Sequence, residues 1–586
     1  MTTSLIDADS LLVIDIGSIS TRAMLFDVVD GRYRFLAQGA GPTTAAAPFH
    51  SVSEGVRMAI DQLHGITGRI LIGPDEQLIT PSSSDGSGID IFAAMFSAGP
   101  PLKIVVVGLL ESVSVESARR LAMTTYGRVE HVVSLNDGCK PEERMDAILR
   151  LRPDLIIIAG GTEGGASQSV LNVLEAVGLA CYLLPKHHRP EVLYVGNQSL
   201  RDEVQARIGE LTKLYFAPNV RPALEVERLD AARSRMNRVY GRILSRKLSG
   251  VQELDAWTRG AGVLPTSAAF GRVIQFLSGA HKASKGVLGI EVEASAITLA
   301  AAFDGRLYQG VYPQPDLESD VSSPVDPASL DEIRRWLTVD FAEDQIREYL
   351  LHKSLYPASQ PAVPEEFALE QALLRQSMCS AVKAMIGDLL PEVGAPGNDL
   401  LPGVEPIIAS GALLIQLPTL AHSVLTLLDG LQPTGVTTLI LDQHHIASAL
   451  GAAAGTNPLL MVQILDSNAF LHVGTVIAPV GKARPGTPIL RLKVTYESGN
   501  TSELEIKQGE LEALPLPLGQ AARLQLQPLH RFDIGMGAPG RGGSLRVSGG
   551  ALGVIIDARG RPLALPGDFP RRAERYQKWL WALGGQ

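Results

Sequence analysis

The sequence predicts an α/β protein of two related halves, with a doubly wound α/β subdomain inserted in the first and a β-rich domain at the C-terminal end. Three observations carry that expectation. The layout of Leu11 to Gly41 returns at Gly286 to Tyr312: apolar strand, acidic residue, small-residue turn, apolar strand, Asp-Gly turn, with Asp30-Gly31 and Asp304-Gly305 in matching places. Between Leu102 and Gly196, short unbroken apolar runs alternate with helical stretches, as in a parallel sheet covered on both faces. From about Gln463 onward, strands and Gly/Pro turns alternate until a short helix carrying Trp579 and Trp581.

In chain order, LLVIDIGSISTRAMLFDVVDGRYRFLAQGAG reads as three strands in a meander, and helical spacing resumes from Ser53 to Leu63. Pro81 to Gly88 (PSSSDGSG) is loop chemistry. In the insertion, LKIVVVGL, a helix from Val115 to Tyr126, HVVSL, a helix from Pro141 to Arg150 and DLIIIAGG follow one another. A helix from Ser169 to Val177, a strand at Ala180 to Leu184 and EVLYVGN complete it. The second meander leads into helices through Leu390, broken from Leu355 to Pro364, then strands and a small-residue helix at Ile446 to Gly455. VSGGALGVIIDARGRPLALP reads as a hairpin turning at Ala558-Arg559-Gly560. The expected divisions are 1–100 for the first half, 101–200 for the insertion, 201–285 for a mainly helical segment, 286–460 for the second half and 461–586 for the β-rich domain.

Composition narrows the function. Over 586 residues the net charge is -10, with no basic stripe along the sequence, so nucleic acid is not the expected partner. The three cysteines (Cys139, Cys181, Cys379) lie far apart without CxxC spacing, which excludes a disulfide framework and a thiolate zinc site. The opening MTTSLIDADSLLVID lacks a basic n-region and a long apolar core, so a cytoplasmic location is expected. The longest uncharged stretch, Pro406 to Leu428, is interrupted by Gln416, Pro418 and His422 and reads as buried helix and strand, not a membrane span.

DIGSIST is the most informative motif. Asp15 ends a strand, Gly17 permits a sharp turn, and Ser18, Ser20, Thr21 and Arg22 follow. Such a hairpin can wrap a phosphate with backbone N–H groups and hydroxyls while the carboxylate holds Mg²⁺ through water. An ordinary hairpin with a polar turn has the same spelling. The repeat IEVEASAIT places Glu291 at the acidic position and Ser295 in the turn, but puts Glu293 where a glycine is expected. GGTEGG (Gly160, Gly161, Thr162, Glu163, Gly164, Gly165) ends strand DLIIIA directly before a helix. Ligands of open α/β sheets bind at such places, and a tight ligand-free βα connection is the alternative. There is no GxSxG elbow, HExxH or P-loop.

DIGSIST with RAMLFDV resembles the first phosphate motif of the acetate kinase/Hsp70/actin superfamily. VEPIIASGALL (Val404 to Leu414) resembles its adenosine motif, and ASALGAAAG its connecting helix. The finer resemblance is to the MutL family associated with cobalamin-dependent glutamate mutase. GGTEGG, LYVGNQ, YFAPNVRP (Tyr215 to Pro222) and the FGRVIQFLS stretch carry it. The resemblance implies duplicated actin-like ATPase (ribonuclease H-like) halves, bound ATP and Mg²⁺, and a protein partner, the mutase subunit. Asp15, Gly17, Ser18, Ser20 and Thr21 would hold phosphates, Asp15 and Glu291 the metal, and Ser410 and Gly411 the nucleoside, with nucleotide driving closure of the two halves. No cobalamin-binding DxHxxG motif is present, so that cofactor would reside on the partner. Glu293, and Ala412 where a second glycine is common, depart from the superfamily pattern and reduce the expected activity to a weak ATPase with a degenerate second phosphate loop. A small-molecule kinase of the same fold and a non-catalytic scaffold are the alternatives.

Overall fold

A computed structural model describes residues 9–280, 285–313, 327–393 and 400–585. The chain forms two compact units, Met1–Phe270 with Ser448–Gln463, and Gly271–Ala447 with Ile464–Gln586.

In the first unit, β1 (Leu11–Ile16), β2 (Ser20–Val29) and β3 (Arg32–Pro42) form an antiparallel meander, and β4 (Ile91–Phe96) runs parallel to β1. Every residue of β1 is buried, which is why its sequence is a continuous apolar run broken only by Asp15. The insertion follows as five parallel strands, β5 (Leu102–Gly108), β6 (Gly127–Ser134), β7 (Leu155–Ile158), β8 (Glu191–Tyr194) and β9 (Leu214–Phe216), in the order β6-β5-β7-β8-β9. The chain then returns to the first sheet with β10 (Leu264–Pro265), giving β3-β2-β1-β4-β10.

The second unit repeats that plan. Strands β11 (Gly286–Val292), β12 (Ala296–Phe303) and β13 (Arg306–Pro313) form the meander, and β14 (Val404–Ser410) and β15 (Gly435–Leu441) add in parallel, in the order β13-β12-β11-β14-β15. Both Asp-Gly turns carry the paired left-handed φ values of a type I′ hairpin, 51° and 73° at Asp30-Gly31, 48° and 76° at Asp304-Gly305. One strand order and one turn type in both units make this a duplicated actin-like α/β fold. Helices Pro364–Val393 and Leu420–Leu431 cover the second sheet, and Ala421 to Leu431 is buried throughout, as the uncharged stretch implies.

Four local expectations change. Ala180 to Leu184 is not a strand; it belongs to helix Ser167–Leu183, because Val170, Val173, Leu174, Val177, Ala180 and Cys181 bury one face at helical spacing through Gly178. The short strand β9 was not foreseen, and it carries the insertion's sheet beyond residue 200. The β-rich tail is divided: β16 (Leu471–Ala478), with β19 (Leu511–Leu514) and β22 (Gly553–Asp557), extends the second sheet. Strands β17 (Pro488–Tyr496), β18 (Thr501–Lys507), β20 (Ala521–Pro528) and β21 (Gly543–Ser548) make a separate antiparallel sheet. Among the described residues no strand follows Ala558-Arg559-Gly560, so β22 has no hairpin partner beyond that point. Beyond β22, Asp557 binds Arg559 (2.9 Å) and Arg561 (2.7 Å), and Arg559 reaches Asp429 (2.6 Å), all buried, so this segment is a buried ionic clasp instead of a turn.

Candidate functional site

The first hairpin places Asp15 at the end of β1, directly opposite Arg22 of β2. Arg22 Nη1 donates to Asp15 Oδ2 at 3.2 Å, and Thr266 Oγ1 donates to Oδ1 at 3.3 Å. Burial pushes the Asp15 carboxyl above its ordinary range, against the opposing pull of Arg22 and Thr266. The turn is closed by the Gly17 N–H donating to the Ser20 carbonyl (3.1 Å), and a Cβ on Gly17 would meet that oxygen at 2.8 Å. Thr43 ties the turn down: its N–H donates to the Ile19 carbonyl (2.8 Å) and its hydroxyl to the Gly17 carbonyl (2.7 Å). Thr21 differs from its expected part as a phosphate ligand. It is fully buried with its hydroxyl 3.0 Å from that of Thr43, so it braces the turn from inside. Ser18 and Ser20 are half-buried, and their hydroxyls remain for a ligand. A glycine that admits no side chain, two accessible hydroxyls and a carboxylate fit a phosphate with its cation. Asp15 would share its charge between that cation and Arg22.

In the second unit the Glu293 N–H donates to the Ala296 carbonyl at 3.1 Å, the counterpart of the Gly17–Ser20 bond. Glu291 is buried, opposite Thr298 on β12 and in register with Ser410 on β14. Glu293, standing at the glycine position, turns its carboxylate onto the neighbouring loop: Oε1 accepts from the Ala412 N–H (3.2 Å) and lies 3.8 Å from His445 Nδ1. Gly411 has φ 110°, and a Cβ there would meet the Val292 carbonyl oxygen at 2.2 Å, so strand β14 leaves the sheet here only as glycine. Ser410 is buried and donates to Asp442 Oδ2 (3.1 Å), while Ser295 is exposed in the turn. Asp442, which the sequence reading did not single out, sits at the end of β15 and caps the helix Ile446–Ala453 by accepting from the N–H groups of Ile446 (3.1 Å) and Ala447 (2.8 Å). An Asp between an apolar strand and a run of small helical residues was the available signal. Burial raises its pKa against these donors.

In the insertion, GGTEGG leaves β7 between the ends of β5 and β8, with β5 and β7 adjacent although β6 lies between them in sequence. That is the point where strand order reverses, the usual ligand position of open α/β sheets. Gly160, Gly161 and Gly164 take positive φ. Asn219 Nδ2 donates to the Gly161 carbonyl (3.0 Å), the Glu163 carboxylate accepts from the Gln198 N–H (3.3 Å), and the Gly165 N–H donates to the Thr162 carbonyl (2.8 Å). Among the described residues no three His, Cys, Asp or Glu side chains gather to hold a metal ion, and no helix is long and apolar enough to cross a membrane.

A family model described as MutL protein matches residues 11–469. Protein MutL of Clostridium tetanomorphum is 25% identical over 177 residues, which are 30% of this chain and 36% of that protein. The match thus spans well under two thirds of the relative's length. Among solved structures, nucleotide-free acetone carboxylase is 10% identical, with 88% of this chain and 82% of that chain covered, at a TM-score of 0.33. The ATP-dependent caprolactamase of Pseudomonas jessenii is 12% identical, with 85% and 81% covered, at 0.32.

Proposed function

The chain belongs to the MutL protein family, and we propose that it is an ATP-binding accessory protein that maintains a cobalamin-dependent mutase of the glutamate mutase type, in the cytoplasm. The observation that carries the nucleotide part is the first hairpin, where Gly17 leaves room at the turn and the half-buried Ser18 and Ser20 flank a buried carboxylate. Ser18, Ser20 and the turn's backbone hold the phosphates; Asp15 orients water on Mg²⁺, and Thr21 keeps the turn rigid. The metal, when bound, neutralises charge on the phosphate oxygens. In the second unit Glu291 and Ser295 are the corresponding carboxylate and hydroxyl, and Ser410 and Gly411 the nucleoside contacts. Gly160 to Gly165 is a second ligand loop, favoured by its place at the reversal of strand order.

Glu293 favours the accessory role over a kinase. Its carboxylate already accepts the Ala412 N–H, so the second loop presents negative charge where a kinase needs donors for the transferred phosphate. Nucleotide binding energy, not covalent chemistry, would then act on the partner that carries the cobalamin. The test is ATP consumption by the purified chain, alone, with candidate small-molecule acceptors, and with the mutase subunits. Turnover stimulated by the mutase supports the proposal. Turnover only with an acceptor makes the chain a kinase, and none under any condition makes it a scaffold.

A further inference from the structure

The linear sequence shows no basic stripe, but folding gathers one on the insertion. Helix Asp230–Lys247 carries Arg238, Arg242 and Arg246 at four-residue spacing, all exposed on one face. Beside it lies a cavity of about 890 Å³ whose cations are Lys186, Arg189, Lys213, Arg242 and Arg246, against the carboxylates of Glu191 and Glu210. It opens where β8 and β9 begin, at the end of the sheet opposite to GGTEGG.

Part of this charge has an internal use. Arg246 pairs with buried Glu191, and Arg189 donates to the carbonyls of Leu184 (3.1 Å) and Leu211 (2.9 Å). Arg242 is held by Tyr215, whose hydroxyl it hydrogen-bonds, while Lys213 acts on Glu191 only through space. The guanidiniums of Arg235 and Arg242 lie 5.3 Å and 5.6 Å from the Tyr215 ring centroid, so the ring orients cations and is not open for a base to stack on. Burial and the nearby Arg238 and Arg242 depress the pKa of Arg235, a sign of crowded like charge. The Nε of Arg235 is also buried without a hydrogen-bond partner. In a chain of net charge -10, cations held together in a concavity are unfavourable until an anion joins them.

We propose that this cavity binds a small molecule carrying two or more phosphate groups. Its volume falls in the range of small-molecule sites, about 300–1,000 Å³. Cations contributed by the helix (Arg242), by Lys186 and by Lys213 surround the opening from separate elements, which suits a ligand with several anionic groups better than a single carboxylate. Guanidinium forks and ammonium groups together suit phosphate oxygens. The site is independent of the hairpin proposed to hold ATP.

The test is a calorimetric titration of the full chain with sodium tripolyphosphate, without Mg²⁺ and at fixed ionic strength, beside citrate as a carboxylate control. The variants are Lys213→Gln/Arg242→Gln and, separately, Lys186→Gln, with Asp15→Asn reporting on the hairpin. Expected are one saturable site per chain, affinity that falls as salt rises, and a loss of at least about tenfold in the double variant. A smaller loss is expected in Lys186→Gln, and no change in Asp15→Asn. No saturable binding, undiminished binding in both cavity variants, loss in Asp15→Asn, or equal affinity for citrate would each overturn the assignment.

Discussion

The two hairpins, β1–β2 and β11–β12, are closed by the same backbone bond at 3.1 Å and lead into the same strand order. They differ in what fills the turn. In the first, Gly17 leaves the mouth clear and the charge of Asp15 is met by Arg22. In the second, the side chain of Glu293 crosses to the loop after β14 and uses a backbone donor there. Duplication therefore fixes the backbone, and single side chains decide whether each turn stays open to a ligand or is closed by its own carboxylate.

The largest effect that breaks this comparison is at the buried pair of the first hairpin. Asp15→Ala removes the buried carboxylate that Arg22 and Thr266 both bind and should cost about 3–5 kcal/mol in urea unfolding of the chain. Gly411→Ala comes next. The added methyl meets the Val292 backbone at a φ that non-glycine residues rarely adopt, and should cost about 2–3 kcal/mol by the same measurement. Glu293→Gly sharpens the comparison by making the second turn like the first. Loss of the bond to the Ala412 N–H should cost about 1–2 kcal/mol, while calorimetry should show tighter Mg·ATP binding.

The smallest effect is a pH slope from Asp442. Its folded pKa is raised by burial, so between the unfolded value near 4 and the folded one the native state holds the extra proton. Its contribution to stability therefore falls as pH rises through that window. Asp442→Asn should flatten the slope of urea midpoints measured from pH 4 upward, and an unchanged slope would show that Asp442 is not its source.

Much of the fold was legible because it is written in local pattern. Matching strands and Asp-Gly turns announced the duplication, and alternating apolar runs announced the parallel insertion. What escaped depends on contacts distant in sequence. Arg22 was visible but gained its role only as the cross-strand neighbour of Asp15. Arg559 looked like a turn residue until Asp557 and Asp429 enclosed it. The last turn of helix Ser167–Leu183, from Ala180, was mistaken for a strand because a short apolar run has no period of its own. Glu293 was recognised as a departure, but its partner Ala412 lies 119 residues away.

The most direct test of the central claim is calorimetric titration of Mg·ATP into the wild-type chain, Asp15→Asn and Glu293→Gly. The account predicts saturable binding in the wild type, at least about tenfold weaker in Asp15→Asn and tighter in Glu293→Gly. No binding to the wild type at millimolar ATP, or equal affinity in all three proteins, would contradict it.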